Sequence, residues 1–84
     1  NLGRAITLYE QTLTDRLRIL GKDHPDTLAS RNNLAAAYWS AEDPGRAITL
    51  FEQALIDSAR LFGENHPMTR VVRDNLQQAR SHPR

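Results

Sequence analysis

The sequence predicts an all-α fold in which antiparallel helix pairs stack one upon the next. Three observations carry this. First, the chain duplicates itself: Gly3-Arg4-Ala5-Ile6-Thr7-Leu8 returns as Gly45-Arg46-Ala47-Ile48-Thr49-Leu50, and 19 of 42 positions are identical at that offset. A head-to-tail repeat of this length builds stacks in which each unit buries its apolar face only against its neighbours. Second, apolar residues recur at the spacing of one helical face, as at Leu2, Ala5, Ile6, Tyr9, Leu13, Leu17 and Leu20. Third, no segment alternates with period two, so no strand is indicated.

Each element has its own start and stop. The first helix is read from Leu2 to Leu20, ended by Gly21, which tolerates the left-handed backbone beyond a helix end. His24-Pro25-Asp26 begins the second. Proline is at ease in the first turn, and Asp26 meets the positive end of the helix dipole. It runs to about Ala41. Asp43 and Pro44 cap and open the third helix, which continues to Phe62 and stops at Gly63. Pro67 begins the fourth, ending near Ser81, with Pro83 blocking continuation. Short loops make neighbouring helices antiparallel.

Composition bounds the function. The chain has 84 residues, enough for one small domain, and 39% are hydrophobic, so it folds around a small core. There is no cysteine and hence no disulfide or thiolate metal site. No apolar run reaches the roughly 18 residues a membrane span needs, and no signal peptide is recognisable. Eleven basic against ten acidic residues give +1, which implies neither a nucleic-acid nor a lipid partner. The sequence reads as a cytoplasmic, soluble protein.

The repeat also argues against catalysis. A catalytic group needs one geometry and should not obey the period, yet His24 and His66 do, each preceding a proline at a helix start. Capping is the better reading for both. Three dispersed histidines supply no metal-ligand spacing. Asp15 and Asp57 also repeat, three residues before Arg18 and Arg60, as ion pairs on a helix surface. The four glycines are isolated, so no phosphate loop exists. No enzyme, cofactor or metal is expected.

Arg31-x2-Leu34-Ala35-x2-Tyr38, then Ala47-x3-Phe51 and Ala54-Leu55, resemble the two-helix motif of tetratricopeptide repeats. The longer period, with Asn32-Asn33-Leu34-Ala35 and Gly21-x2-His24-Pro25, is similar to the kinesin-light-chain type. The resemblance implies a right-handed solenoid of first (A) and second (B) helices. The motif departs at Arg31 and Arg73, which stand at a usually bulky apolar position, and at Glu42, where a helix-ending glycine is usual, so a looser turn is expected there. Small Ala5, Ala35, Ala47 and Ala54 are expected at close helix approaches, with Leu13, Leu34, Tyr38, Phe51 and Leu55 filling the spaces between. Arg31 and Arg73 are expected to pair with acids on the adjacent helix, or else to line the groove and favour acidic ligands.

In that frame the helix order is B-A-B-A across a single unit, 1–84. Residues 1–20 form helix B of a truncated repeat, 25–62 a complete repeat and 67–81 a C-terminal capping helix. The phase is that of an array fragment opening mid-repeat. In the last helix Gln77, Gln78, Arg80 and Ser81 replace Ala35, Ala36, Tyr38 and Trp39, as a solvating cap requires, and His82-Pro83-Arg84 reads as lying near a true C-terminus. Ile6, Leu8 and Tyr9 are expected on the unpartnered side of the first helix, which implies a homo-oligomer or end-to-end stacking.

The resemblance implies a protein–protein interaction module, a scaffold within a larger regulatory protein that takes a partner's peptide or helix in a concave groove lined by first helices. The alternative is a self-association element that oligomerises by helix stacking. Helical geometry places Asn32, Ala36 and Ser40 on one stripe, flanked by Asn33 and Trp39. The matching positions of the last helix are Asp74, Gln78 and His82, flanked by Asn75. An asparagine amide both donates and accepts, so it can engage a ligand's main chain whatever the ligand's sequence. Asn33 and Asn75 repeat, which equally suits a structural bond between helices. Trp39 is the only tryptophan and has no counterpart, so it is either a ligand contact or local packing.

Overall fold

A computed structural model describes residues 1–81. It contains four α-helices: α1 (Leu2–Ile19), α2 (Pro25–Ser40), α3 (Pro44–Phe62) and α4 (Pro67–Ser81). No strand occurs among the described residues.

The ends form as the side chains dictate. The Asn1 side chain accepts from the Arg4 N–H, and Asp43 from the Arg46 N–H. His24 Nδ1 accepts from the Asp26 N–H at 3.0 Å and His66 Nδ1 from the Met68 N–H at 3.1 Å, so both repeated histidines are caps. Gly21 and Gly63 close α1 and α3 with φ of 86° and 92°, where a side chain would be strained.

The turn after α2 differs from expectation. It is tight, because Glu42 itself takes the left-handed conformation at φ 62° and the Asp43 N–H donates to the Tyr38 carbonyl at 2.9 Å. The geometry is the one glycine usually provides, achieved by a residue that carries a Cβ.

Each helix packs on the next in sequence, and α2 also reaches α4, while α1 and α3 do not touch. The core is Leu34, Ala35, Tyr38, Ala47, Phe51, Leu76 and Ala79, with Ile6, Leu13, Ile48, Leu50 and Leu55 packed against it. Ala35, Ala47 and Ala54 are wholly buried, which lets the backbones approach closely.

The repeat explains why α2 is the most buried helix. Thr27, Ser30, Leu34 and Ala37 recur as Thr69, Val72, Leu76 and Ala79, and all eight are buried. A second set on α2, Leu28, Arg31, Ala35 and Tyr38, is buried as well. Its equivalents on α4 are Arg70, Arg73, Gln77 and Arg80, none of them buried. A middle helix is covered on two sides, and α4 on one.

Ion pairs fix the register. Arg31 Nη1 lies 2.8 Å from Asp57 Oδ2 across α2–α3, so the arginine at the motif's first position does meet an acid on the adjacent helix. Arg73 does not. It donates to the carbonyl of Glu64 at 3.0 Å and to its carboxylate at 3.3 Å, in the loop before α4. No helix of the described chain stands where Asp57 stands for Arg31, so Arg73 folds back. Asp15–Arg18 and Asp57–Arg60 pair at 3.6 and 3.4 Å, and Arg60 also bonds Asp23 at 2.9 Å. Those two acids hold the Arg60 guanidinium above its ordinary pKa.

Candidate functional site

The first helices, α2 and α4, meet through one side-chain hydrogen bond. Asn75 Nδ2 donates to Asn32 Oδ1 at 3.2 Å, and both residues are half-buried. The bond spans successive repeats, since Asn32 is equivalent to Asp74 and Asn75 to Asn33. It uses one donor and one acceptor and leaves Asn32 Nδ2 and Asn75 Oδ1 to other partners.

Around this bond the stripe residues divide. Asn33, Ala36 and Ser40 on α2 are exposed, as are Asp74 and Gln78 on α4. Ala36 and Ser40 are small, so they keep the α2 side low. Asp74, Gln77, Gln78 and Ser81 line a shallow hollow of about 350 Å³ on the α4 side. His82, which the helical register puts at the end of that stripe, lies outside the described residues, as do Pro83 and Arg84.

Trp39 is half-buried and packs against the core cluster, so much of the ring serves the fold. Ile6 corrects the expectation for α1. Its side chain turns inward, packs against the same cluster and is half-buried, because it sits on the α2 side of the helix. Leu8 and Tyr9 are exposed as expected, joined by Leu2, Leu17, Ile19 and Leu20.

On the opposite, second-helix side, Leu34, Tyr38, Arg46, Thr49 and Leu50 border a hollow of about 620 Å³. The Arg46 guanidinium stacks 5.6 Å from the centroid of the Tyr38 ring. Tyr38 Oη donates to Glu10 Oε2 at 2.7 Å. That bond, with burial, raises the Tyr38 pKa, and Arg46 opposes the shift. The Tyr38–Glu10 pair is not among the sequence expectations, though the repetition of Glu10 as Glu52 was the available signal. In the α4 row Gln77 and Arg80 are the polar replacements expected, and Arg70, at the place of Leu28, joins them.

No group of three or more His, Cys, Asp or Glu side chains is placed to hold a metal ion among the described residues. No described helix is long and apolar enough to cross a membrane.

Stacked helix pairs joined by a polar inter-repeat seam define a helical-repeat protein. The chain belongs to the tetratricopeptide repeat family, whose model matches residues 1–55. No curated protein and no solved structure matches it. Members of this family are in general non-catalytic modules that bind other proteins.

Proposed function

We propose that the α2–α4 surface is a peptide groove that takes an extended segment of a partner protein. The Asn32–Asn75 bond carries this reading: it sets two amides in fixed orientation on the seam, each with a free hydrogen-bonding atom. Asn33, Asp74 and Gln78 extend the polar row, and Ala36 and Ser40 leave room for a backbone to approach. A ligand held mainly through its main chain needs such amides more than it needs charge. Trp39 flanks the groove as packing with part of its edge accessible. Two repeats offer a short groove, so affinity for a single peptide is modest.

Selection of displayed random peptides on the full chain tests this. Selected peptides should lose about tenfold or more in affinity with Asn32→Ala and with Asn75→Ala, and be unaffected by Arg4→Ala on α1. Peptides whose binding ignores both asparagines would refute the assignment.

A further inference from the structure

The two helices that form the α2–α4 surface are the two that begin on histidine. His24 Nδ1 accepts from the Asp26 N–H at 3.0 Å, and His66 Nδ1 from the Met68 N–H at 3.1 Å. α1 and α3 begin instead on Asn1 and Asp43. Asparagine does not titrate, and a carboxyl ordinarily does so only near pH 4. An imidazole Nδ1 accepts a hydrogen bond only while it carries no proton. Histidine ordinarily takes that proton near pH 6.5, and both ring nitrogens then donate. Mild acid thus leaves a donor facing an N–H and sets a positive charge at the positive end of a helix dipole.

The surroundings do not neutralise that charge evenly. Lys22, Asp23 and Asp26 flank His24 along the chain, with Arg16 of α1 on the Asp26 carbonyl and Arg60 of α3 on the Asp23 carboxylate. The Phe62 ring lies 4.8 Å from that of His66, Glu64 pairs with Arg73, and the Arg70 N–H donates to the His66 carbonyl. Of the three acids within two residues of either histidine, Asp23 and Glu64 each carry an arginine, and Asp26 alone favours a charged ring. The two first turns also hold core residues, since Thr27, Leu28 and Thr69 are wholly buried. Arg16 fastens the turn of α2 to α1 through the Asp26 carbonyl and the Ser30 hydroxyl, at 3.0 and 2.6 Å. The equivalents of Arg16 and Ser30 one period later are Ser58 and Val72, so α4 lacks that fastening and depends more on its cap.

We propose that His24 and His66 make α2 and α4 a pH-sensitive pair whose first turns loosen together as pH falls from about 7 to about 5.5. The folded caps take the neutral ring and the unfolded chain takes either form. Their contribution is therefore whole above the histidine range and is lost as pH falls through it. Release of a peptide from α2 and α4 over the same range follows only if the groove reading holds; the loosening itself does not depend on it.

The test replaces each cap by a residue that accepts without titrating, His24→Asn and His66→Asn. Asparagine is a strong cap, so both variants fold at pH 7.5, which circular dichroism checks. Urea unfolding at pH 7.5 and 5.5 then reads the effect. The natural chain should lose about tenfold in its folding constant, about threefold from each cap, and the double variant should lose little. His66→Asn should remove the larger share. Amide NMR of the natural chain gives a local readout. The Asp26 and Met68 N–H signals should move with the histidine rings, while that of Arg46, capped by Asp43, stays. Parallel stability curves for the natural chain and the double variant overturn the proposal. So do Asp26 and Met68 signals that hold still while the rings titrate. Caps that respond while selected peptides bind alike at both pH values support the loosening and count against the groove alone.

Discussion

Tyr38 and Glu10 join α1 to α2 by a 2.7 Å hydrogen bond, and one period later Arg80 donates to Glu52 in their place. The acceptor is kept and the donor exchanged. Tyr38 is buried and is touched from both sides, by Glu10 and Arg46; Arg80 is exposed and bonded only from α3 among the described residues. Tyr38→Phe should therefore cost about 0.5–1.5 kcal/mol at neutral pH. The pH dependence has a definite sign. The folded pKa of Tyr38 is raised, by the Glu10 bond first and burial second. Its contribution is then whole below about pH 10, the ordinary tyrosine value, and is lost as pH rises through the folded value. Urea unfolding from pH 7 to 11 should show the natural chain losing more stability at the alkaline end than Tyr38→Phe. Parallel curves would mean that the bond does not form.

Phe51 and Tyr9 are equivalent by sequence and opposite in burial. Phe51 is 2% exposed within the core and Tyr9 lies on the open flank of α1. Phe51→Ala should cost about 3–5 kcal/mol, a large part of what a domain this size holds. Tyr9→Ala should stay within about 1 kcal/mol. Denaturant midpoints of the two variants measure the contrast, and near-equal losses would contradict the helix order.

Thr27 and Thr69 are both wholly buried, but only one is satisfied. Thr27 Oγ1 donates to the Arg16 carbonyl at 3.4 Å, whereas Thr69 Oγ1 has no partner, alone among the buried side-chain polar atoms of the described residues. An unpaired buried hydroxyl is costly, so Thr69→Val should stabilise by about 1 kcal/mol while Thr27→Val gains nothing. Thermal melts of the two variants distinguish them.

The repeat made the helices readable, because period, caps and glycine stops all point to the same four segments. Paired side chains were readable only within one helix, as at Asp57–Arg60, where spacing along the chain fixes proximity. The Arg31–Asp57 pair was legible as a type of contact without its partner, and the Tyr38–Glu10 bond was not legible at all, because which faces meet depends on how one helix rolls on another. The same roll turned Ile6 inward. Glu42 shows a different limit: the missing helix-ending glycine argued for a looser turn, and Glu42 itself takes the left-handed conformation that a Cβ disfavours. On the α2–α4 surface, exposure of Asn33, Ala36 and Ser40 followed from helical phase, while the bond that joins Asn32 to Asn75 depended on how α4 lies across α2.

α4 departs at Arg70, Gln77 and Arg80 from the row that α2 presents to α3, and restoring that row should create stacking. Arg70→Leu, Gln77→Ala and Arg80→Tyr give α4 the pattern that α2 presents to α3, with Arg73 already in place. The altered helix then offers α1 of another copy a complementary apolar row, an arginine for Asp15 and a tyrosine ring for Arg4. Both ends of each copy become complementary and the contact is head-to-tail, so assembly is open-ended. Sedimentation velocity at about 100 µM should show the triple variant as a concentration-dependent series of species, at affinities in the range of modest interfaces. Asp15→Arg added to it should return the mass to that of the unmodified chain. A triple variant that folds yet sediments no differently would mean that residues other than these three close the end of the stack.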